Sequence, residues 1–419
     1  MKVFASPTDI KKIALKEKVS PESLSKSVNK GEALIITSRR GAGPVGIGRD
    51  LRSKFATIVG TSTAEPDIEA AVRKAKIAVQ HGASVIHNGS AGGDVREVQK
   101  RLLDIVDVPM AVCHPIGVMA EACFKKRRFL DLKESEFIGQ VRRDIEQGIE
   151  VLLLPLGVTR SLVGKLKNSG RIMPCCSKSG SIMAAWIAHN RRENPYCVHF
   201  DEILDMAREY NTTLSVVGAF RSGCIHDALD EVQYEELKTI KEYVDRTRKA
   251  GVGIKAGSGG HIPADKISPF FSYQKKLLKV PIISFGPQVS DISLGYDHIS
   301  SAMGQIIALM SGADIIFSIT PAEHLGMPDE EHTKLGCIAA GIACHSADIA
   351  KGRDLDLDNS LSKARESLDW KGQIKFAPDE SVTEKLKAAG LNKKKCSVCG
   401  NFCAYKLMTV YAKKTKVPK

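Results

Sequence analysis

Short apolar, β-branched runs alternate regularly with longer amphipathic stretches between residues 55 and 351 of this chain. Each short run has the length of a strand, and the stretch after it has the period of a helix. Such β–α–β units build a parallel sheet with right-handed crossovers. Eight units over about 300 residues favour a closed (β/α)8 barrel over an open sheet. The candidate strands, one more than a barrel needs, are Phe55–Gly60, Ser84–His87, Met110–Cys113, Val151–Pro155, Arg171–Cys175, Leu214–Val217, Gly253–Lys255, Ile282–Phe285 and Asp314–Ser318.

Two further segments flank this alternation, so the predicted architecture is α/β, a barrel with an N-terminal arm and a C-terminal extension. Residues 1–50 form the arm, in which a helix begins at Pro21 and ends before Gly31. The glycine-rich stretch from Arg39 to Gly48 is expected to be irregular. Residues 51–352 form the barrel, and residues 353–419 form a charged helical extension that ends in a cysteine motif.

Composition narrows the classes of protein that the chain can belong to. Hydrophobic residues make up 43% and charged residues 26%, as in a soluble globular protein, and we find neither a membrane-spanning run nor a signal peptide. We therefore expect a cytoplasmic protein without a membrane partner, in which the 11 cysteines are thiols or metal ligands. The net charge of +13 is spread thinly without interleaved aromatics, which argues against a nucleic-acid partner.

Three cysteines lie close together near the end of the chain, at Cys396, Cys399 and Cys403. Spacers of two and three residues let a tight turn aim neighbouring thiolates at one centre. Three thiolates suit a zinc site with a fourth ligand, or an iron–sulfur cluster with one open iron. A small structural zinc knuckle has the same spacing, so the motif indicates a metal and leaves its identity open.

Polar and glycine-rich loops follow the predicted strands. In a barrel the carboxyl ends of all strands meet at one rim, which carries the active site. His261 and His324 each follow a late strand and are candidate ligands for zinc or iron, with Asp297 or Glu323 as possible partners. Taken singly, either histidine is also compatible with a structural role. The loops are His87–Asp94, His114–Pro115, Ser177–Gly180, Arg221–Gly223, Ser258–His261, Gly286–Pro287 and Thr320–His324.

Several of these loops together resemble one family, the thiamin pyrimidine synthases and their 5-hydroxybenzimidazole synthase relatives. These are noncanonical radical S-adenosylmethionine enzymes, and the similarity runs from about residue 51 to residue 406. The matching stretches are Gly92–Asp94, Ser179–Ala184, His199–Ile203, Gly260–Pro263, Gly295–Ala302, Thr320–Pro328 and Cys396–Gly400.

The resemblance implies a barrel enzyme in which Cys396, Cys399 and Cys403 hold a 4Fe–4S cluster, and His261 and His324 bind a second metal, zinc or iron. It implies that the open iron binds S-adenosylmethionine, and that one electron from a ferredoxin- or flavodoxin-type donor generates a 5′-deoxyadenosyl radical. The small-molecule substrate in both named branches is 5-aminoimidazole ribotide. It also implies a homodimer, in which the cysteine segment reaches the partner's active site.

The chain departs from the family at the substrate pocket. The family's Ser-Arg-Gly phosphate loop is here Ser177-Lys178-Ser179, and its Asp-Gly-Leu-Arg-Pro loop is Ala219–Ser222 without the carboxylate. Losing several polar contacts predicts weaker binding of the same substrate and favours a related ligand. A 5-hydroxybenzimidazole synthase-like enzyme and a non-catalytic metal-binding paralogue are the alternatives. The residues expected to contact the ligand are Arg221, Lys178, Ser177, Asn88, His87 and His114.

Overall fold

The structure is a computed structural model that describes residues 5–41, 43–388 and 399–412. The chain divides into two compact units, Met1–Ala347 and Asp348–Lys419. Across the described ranges, no helix combines the length and the apolarity that crossing a membrane requires.

The N-terminal residues form two helices and an antiparallel hairpin, namely α1 Pro7–Glu17, α2 Pro21–Asn29, β1 Ala33–Thr37 and β2 Pro44–Gly48. The hairpin tip lies at the loops that precede two barrel strands, where Arg40 pairs with Glu150 at 2.8 Å. The expectation of irregular backbone was wrong for β2. Gly46 lets this strand lie against α1, because a Cβ there would come within 2.8 Å of Ile13 Cγ2.

Eight parallel strands close into a barrel in the order β10-β3-β4-β5-β6-β7-β8-β9, which confirms the predicted fold class. Side chains alternate between the barrel interior and the layer of helices, because successive residues of a strand point to opposite faces. Both sides are predominantly apolar. The strands are β3 Lys54–Val59, β4 Val85–Asn88, β5 Met110–Cys113, β6 Val151–Leu153, β7 Thr213–Val217, β8 Ile254–Gly257, β9 Ile282–Ser284 and β10 Ala313–Phe317.

Helices surround the barrel, and several begin at a side chain that accepts a backbone N–H, as Asp67, Ser177 and Asp230 do. The helices are α3 Ile68–Gln80, α4 Val95–Ile105, α5 Ile116–Phe124, α6 Glu134–Glu146, α7 Arg160–Leu166, α8 Lys178–Asn190, α9 Pro195–Val198, α10 Phe200–Glu209, α11 Glu231–Lys249, α12 Ala264–Leu278, α13 Asp297–Met310 and α14 Glu330–Ala350.

The fifth of the nine strand candidates, Arg171–Cys175, was wrong. It is a loop, because its backbone N–H groups donate hydrogen bonds to a side chain and not to a neighbouring strand. The carboxylate of Asp227 accepts the N–H groups of Ile172 and Met173 at 2.9 and 2.8 Å. The loop lies before α8 and leads into the cavity described below.

The second unit contains α15 Leu355–Glu366, α16 Trp370–Ile374, α17 Ser381–Ala388 and α18 Ala404–Ala412. Cys399 and Cys403 flank a short 3-10 turn at Gly400–Phe402, whereas Cys396 lies outside the described residues.

Candidate active site

A cavity of about 470 Å³ opens at the carboxyl ends of the barrel strands. Most of its lining residues end a strand or follow one, as the barrel predicts, and Lys74 reaches in from α3. The inner wall is apolar and includes Ile58, Ile116, Leu153, Val217 and Phe285. A smaller cavity of about 70 Å³ adjoins it and shares Cys176, Arg221, Phe285 and Glu323 with it.

Three predicted ligand contacts, Ser177, Lys178 and Arg221, line the large cavity together. Ser177 is the N-cap of α8, and its Oγ accepts the N–H of Gly180 at 3.2 Å. Lys178 is the first residue of that helix. The guanidinium of Arg221 lies 4.4 Å from the centre of the Phe285 ring. Two cations beside a helix N-terminus favour an anionic group in this part of the cavity.

His261 and His324 lie side by side at the rim, with ring centroids 5.3 Å apart. Nδ1 of His261 lies 2.6 Å from Oδ1 of Asp291, and Nδ1 of His324 lies 2.9 Å from Oδ1 of Asp297. A carboxylate that accepts a hydrogen bond from Nδ1 fixes the ring and leaves Nε2 as the donor to a metal. The sequence named Asp297 as a partner and missed Asp291, which lies 30 residues after its histidine.

The histidine pair fits a zinc or iron site through its donor chemistry, because both rings have a carboxylate at the nitrogen that does not bind the metal. Burial lowers the pKa of His261, and Asp291 opposes this effect. Within the described part of the chain, no three His, Cys, Asp or Glu side chains are grouped to hold a metal. A metal bound at His261 and His324 would complete its coordination with water, the ligand or another chain.

Glu323 and Lys74 also line the large cavity. Glu323 lies at the mouth, where it is an exposed residue that also lines the smaller cavity. Lys74 reaches in from α3, and its Nζ donates to the backbone oxygen of Pro328 at 3.1 Å. Burial lowers the pKa of Lys74. Lys74 was not predicted from the sequence, although its spacing places it on the apolar face of α3 with Ala71, Ala75 and Ala78.

The other three predicted contacts do not line the large cavity. His87, Asn88 and His114 are 0%, 8% and 2% exposed. The Nε2 of His114 lies 3.2 Å from Asp144 Oδ2, on the side of the sheet that faces the helices. The Oδ1 of Asn88 accepts the N–H of Ser90 at 3.0 Å. Asn88 and His114 instead border a separate pocket of about 30 Å³.

A small polar cluster fills the barrel interior beside the cavity. Lys255 is fully buried, its Nζ donates to Ser215 Oγ at 2.9 Å, and burial lowers its pKa to about 7. Nδ1 of His87 lies 3.9 Å from Cys113 Sγ. Burial lowers the pKa of His87 well below its ordinary value and raises that of Cys113 to about 12. Of this cluster, Cys113 reaches the cavity wall.

Comparisons with known proteins extend over nearly the whole chain. A family model described as the radical SAM ThiC family matches residues 4–410. The phosphomethylpyrimidine synthase of Thermoanaerobacter sp. (strain X514) is 38% identical over 408 residues, which cover 95% of this chain and 94% of that protein. The phosphomethylpyrimidine synthase of Methanocaldococcus jannaschii is 37% identical over 404 residues, 94% of either chain. Among solved structures, a Yersinia pestis dihydropteroate synthase aligns with 74% of this chain and 98% of its own, with 13% identity and a TM-score of 0.39.

Proposed function

Because this chain belongs to the radical SAM ThiC family, we propose that it is a radical S-adenosylmethionine lyase of the phosphomethylpyrimidine synthase type. Its substrate is 5-aminoimidazole ribotide or a related small anionic molecule. One observation carries this proposal: Arg221 and Lys178 line a cavity that shares Arg221 and Glu323 with the smaller cavity around His261 and His324. The reacting molecule and a metal can therefore meet at one rim.

The cofactors follow from the donor sets of the chain. Cys396, Cys399 and Cys403 would hold a 4Fe–4S cluster, because three thiolates leave one iron for S-adenosylmethionine. After reduction by one electron from an external donor, this cluster with bound S-adenosylmethionine would supply the chemistry of a 5′-deoxyadenosyl radical, which is abstraction of a hydrogen atom from the substrate. His261 and His324 would hold a second divalent metal, zinc or iron.

The residues of the cavity bind and orient the substrate. An anionic group placed beside Lys178 and Arg221 gains two charge-assisted hydrogen bonds and the favourable end of the α8 dipole. The apolar inner wall, with Ile58, Leu153 and Val217, then receives the less polar part of the molecule. Glu323 lines both cavities, where its carboxyl can exchange a proton with the ligand.

We also propose a homodimer and a ferredoxin- or flavodoxin-type electron donor. The segment between the two carboxylate partners, Asp291 and Asp297, supports the dimer. It exposes three apolar side chains, Ile292, Leu294 and Tyr296, which are 96%, 59% and 65% exposed. An apolar patch of this kind beside a rim is typical of a surface that another chain covers.

Anaerobic reconstitution with iron and sulfide tests the proposal. The reduced protein should cleave S-adenosylmethionine to 5′-deoxyadenosine, and 5-aminoimidazole ribotide should give a product that mass spectrometry detects. The mass of the product separates a pyrimidine phosphate from 5-hydroxybenzimidazole. Uptake of zinc alone without any cleavage would instead favour a non-catalytic metal-binding paralogue.

A further inference from the structure

The first turns of α11 present three polar side chains to the rim of the barrel. Asp230 caps the helix, and Gln233 and Glu236 follow at intervals of three residues. Gln233 and Glu236 are fully buried. Residues three apart lie on neighbouring parts of one helix face, so the three side chains form a short row. Each of them holds, directly or through one arginine, a loop that carries a residue of the candidate site.

Glu236 holds the loop of Arg221. Its Oε1 accepts the N–H of Ala219 at 2.6 Å, and its Oε2 accepts the N–H of Phe220 at 2.9 Å. These are the two residues directly before Arg221. Because the two carboxylate oxygens accept hydrogen bonds from consecutive backbone N–H groups, they fix the orientation of the backbone directly before Arg221. Arg221 then lies across the Phe285 ring with its Nη1 3.2 Å from the backbone oxygen of Gly218.

Asp230 connects the same loop to the one that carries Lys178. It pairs with Arg171 through two bonds of 2.7 and 2.6 Å. Arg171, whose side chain is 1% exposed, also donates to the backbone oxygen of Phe220 at 2.8 Å. The loop that begins at Arg171 leads directly into Lys178. One buried guanidinium therefore fixes the distance between the two loops that supply the cations of the cavity.

Gln233 holds the third loop, which leads to His261. Its Nε2 donates to the backbone oxygen of Gly259 at 2.8 Å and to Ser258 Oγ at 3.2 Å. His261 follows two residues later, so the row on α11 holds loops on both the anion side and the metal side of the site.

The side chain of Glu236 fits only because residue 157 is a glycine. A Cβ at Gly157 would lie 2.5 Å from Glu236 Cγ, so a larger residue there would displace the carboxylate. Burial raises the pKa of Glu236 to about 7, because charging a carboxyl away from water is unfavourable. A buried carboxylate is a poor way to gain stability alone. Two charge-assisted bonds to one loop provide a fixed direction, which positioning requires.

We propose that Glu236 is a positioning residue, and that the row Asp230, Gln233 and Glu236 sets the placement of Arg221 relative to Lys178 for an anionic ligand. This inference rests on the proposed function only in assuming that the ligand of the cavity is anionic. Glu236 acts through Arg221 and makes no use of its own charge toward the ligand.

The test compares Glu236→Gln with Glu235→Gln, the same substitution one residue earlier, where the side chain pairs with Lys165 on the surface. The glutamine amide has one acceptor oxygen, so one of the two loop N–H groups loses its partner. Hydrogen exchange of the Ala219 and Phe220 amides should become roughly tenfold faster in Glu236→Gln and stay unchanged in Glu235→Gln. Gly157→Ala, which displaces the carboxylate without removing it, should have the same effect on exchange.

The affinity for 5-aminoimidazole ribotide, measured by calorimetry without S-adenosylmethionine, then distinguishes a role of Glu236 in placing Arg221 from a role only in the stability of the fold. Glu236→Gln should weaken binding by about tenfold in the otherwise wild-type protein. In a protein that already carries Arg221→Met, the same substitution should cause almost no further loss of affinity. Wild-type exchange rates in Glu236→Gln, or a full additional loss in that background, would overturn the inference. Failure of the wild-type protein to cleave S-adenosylmethionine would overturn the proposed function, and the exchange rates would still decide the role of Glu236.

Discussion

The Nδ1 atom of His324 lies 2.9 Å from the Oδ1 atom of Asp297, whose side chain is 3% exposed. Asp297 is the first residue of α13, where the helix dipole stabilises a carboxylate. The helix fixes the carboxylate, and the carboxylate fixes the imidazole. The orientation of His324 is thus set by an element that begins 27 residues earlier in the chain.

Asp297→Asn should lower the affinity of the histidine pair for zinc by about 10- to 100-fold, because the amide is a weaker and less directional partner for Nδ1. Competition with a chromophoric chelator on metal-free protein measures this change. Asp205→Asn, at an exposed carboxylate, is the matched control and should bind zinc as the wild type does. Equal affinity in all three proteins would show that Asp297 does not support a metal ligand.

Cys399→Ala should abolish cluster binding, because two thiolates cannot hold a 4Fe–4S cluster securely. We expect about four irons per chain in the reconstituted wild type and a large loss in the variant, together with loss of 5′-deoxyadenosine formation. Cys123→Ala, at an exposed cysteine outside the motif, is the control. Full iron content in Cys399→Ala would remove this residue from the proposed ligand set.

Arg221→Met should weaken binding of 5-aminoimidazole ribotide by roughly 10- to 150-fold, the effect of losing a hydrogen bond to a charged group. Calorimetry at low and high salt measures it, and the wild-type affinity should fall more steeply with salt than that of the variant. Arg142→Met is the matched control, since this arginine is 53% exposed and pairs with Glu202 on the surface. Unchanged affinity in Arg221→Met would place the anion elsewhere.

Lys255→Met should change how the free energy of unfolding depends on pH. Burial lowers the pKa of Lys255 from 10.5 to about 7. Between these two values the unfolded chain binds more protons than the folded chain, so Lys255 makes the unfolding free energy rise with pH, by up to about 1.4 kcal/mol per pH unit. This contribution is fully present above the unfolded pKa and is lost as the pH falls through about 7.

Urea unfolding at several pH values between about 7 and about 9.5 measures this slope. It should be smaller in Lys255→Met than in the wild type, while Lys249→Met, at an exposed position, should keep the wild-type slope. Identical slopes in all three proteins would mean that Lys255 keeps its charge inside the barrel.

The sequence alone was enough to predict the barrel. Apolar residues recur with a period of two in strands and of 3.6 in helices, and this local pattern does not depend on contacts with distant segments. It also indicated which loops would share a rim, since all parallel strands of a barrel end on one side. The strand error at Arg171–Cys175 has a tertiary cause. The run has strand-like composition, yet two of its backbone N–H groups donate to the carboxylate of Asp227, which lies more than fifty residues away in the sequence.

Only the tertiary structure decided which polar residues lie close together. It placed Arg221, Lys178 and Ser177 on one cavity wall and turned His114 toward the helices, a choice that depends on which face of a strand each residue occupies. It also supplied Asp291 as the partner of His261 and Glu236 as the anchor of the Arg221 loop. Such pairs join segments far apart in sequence. No local period encodes them, because their bonds exist only after the barrel has brought the segments together.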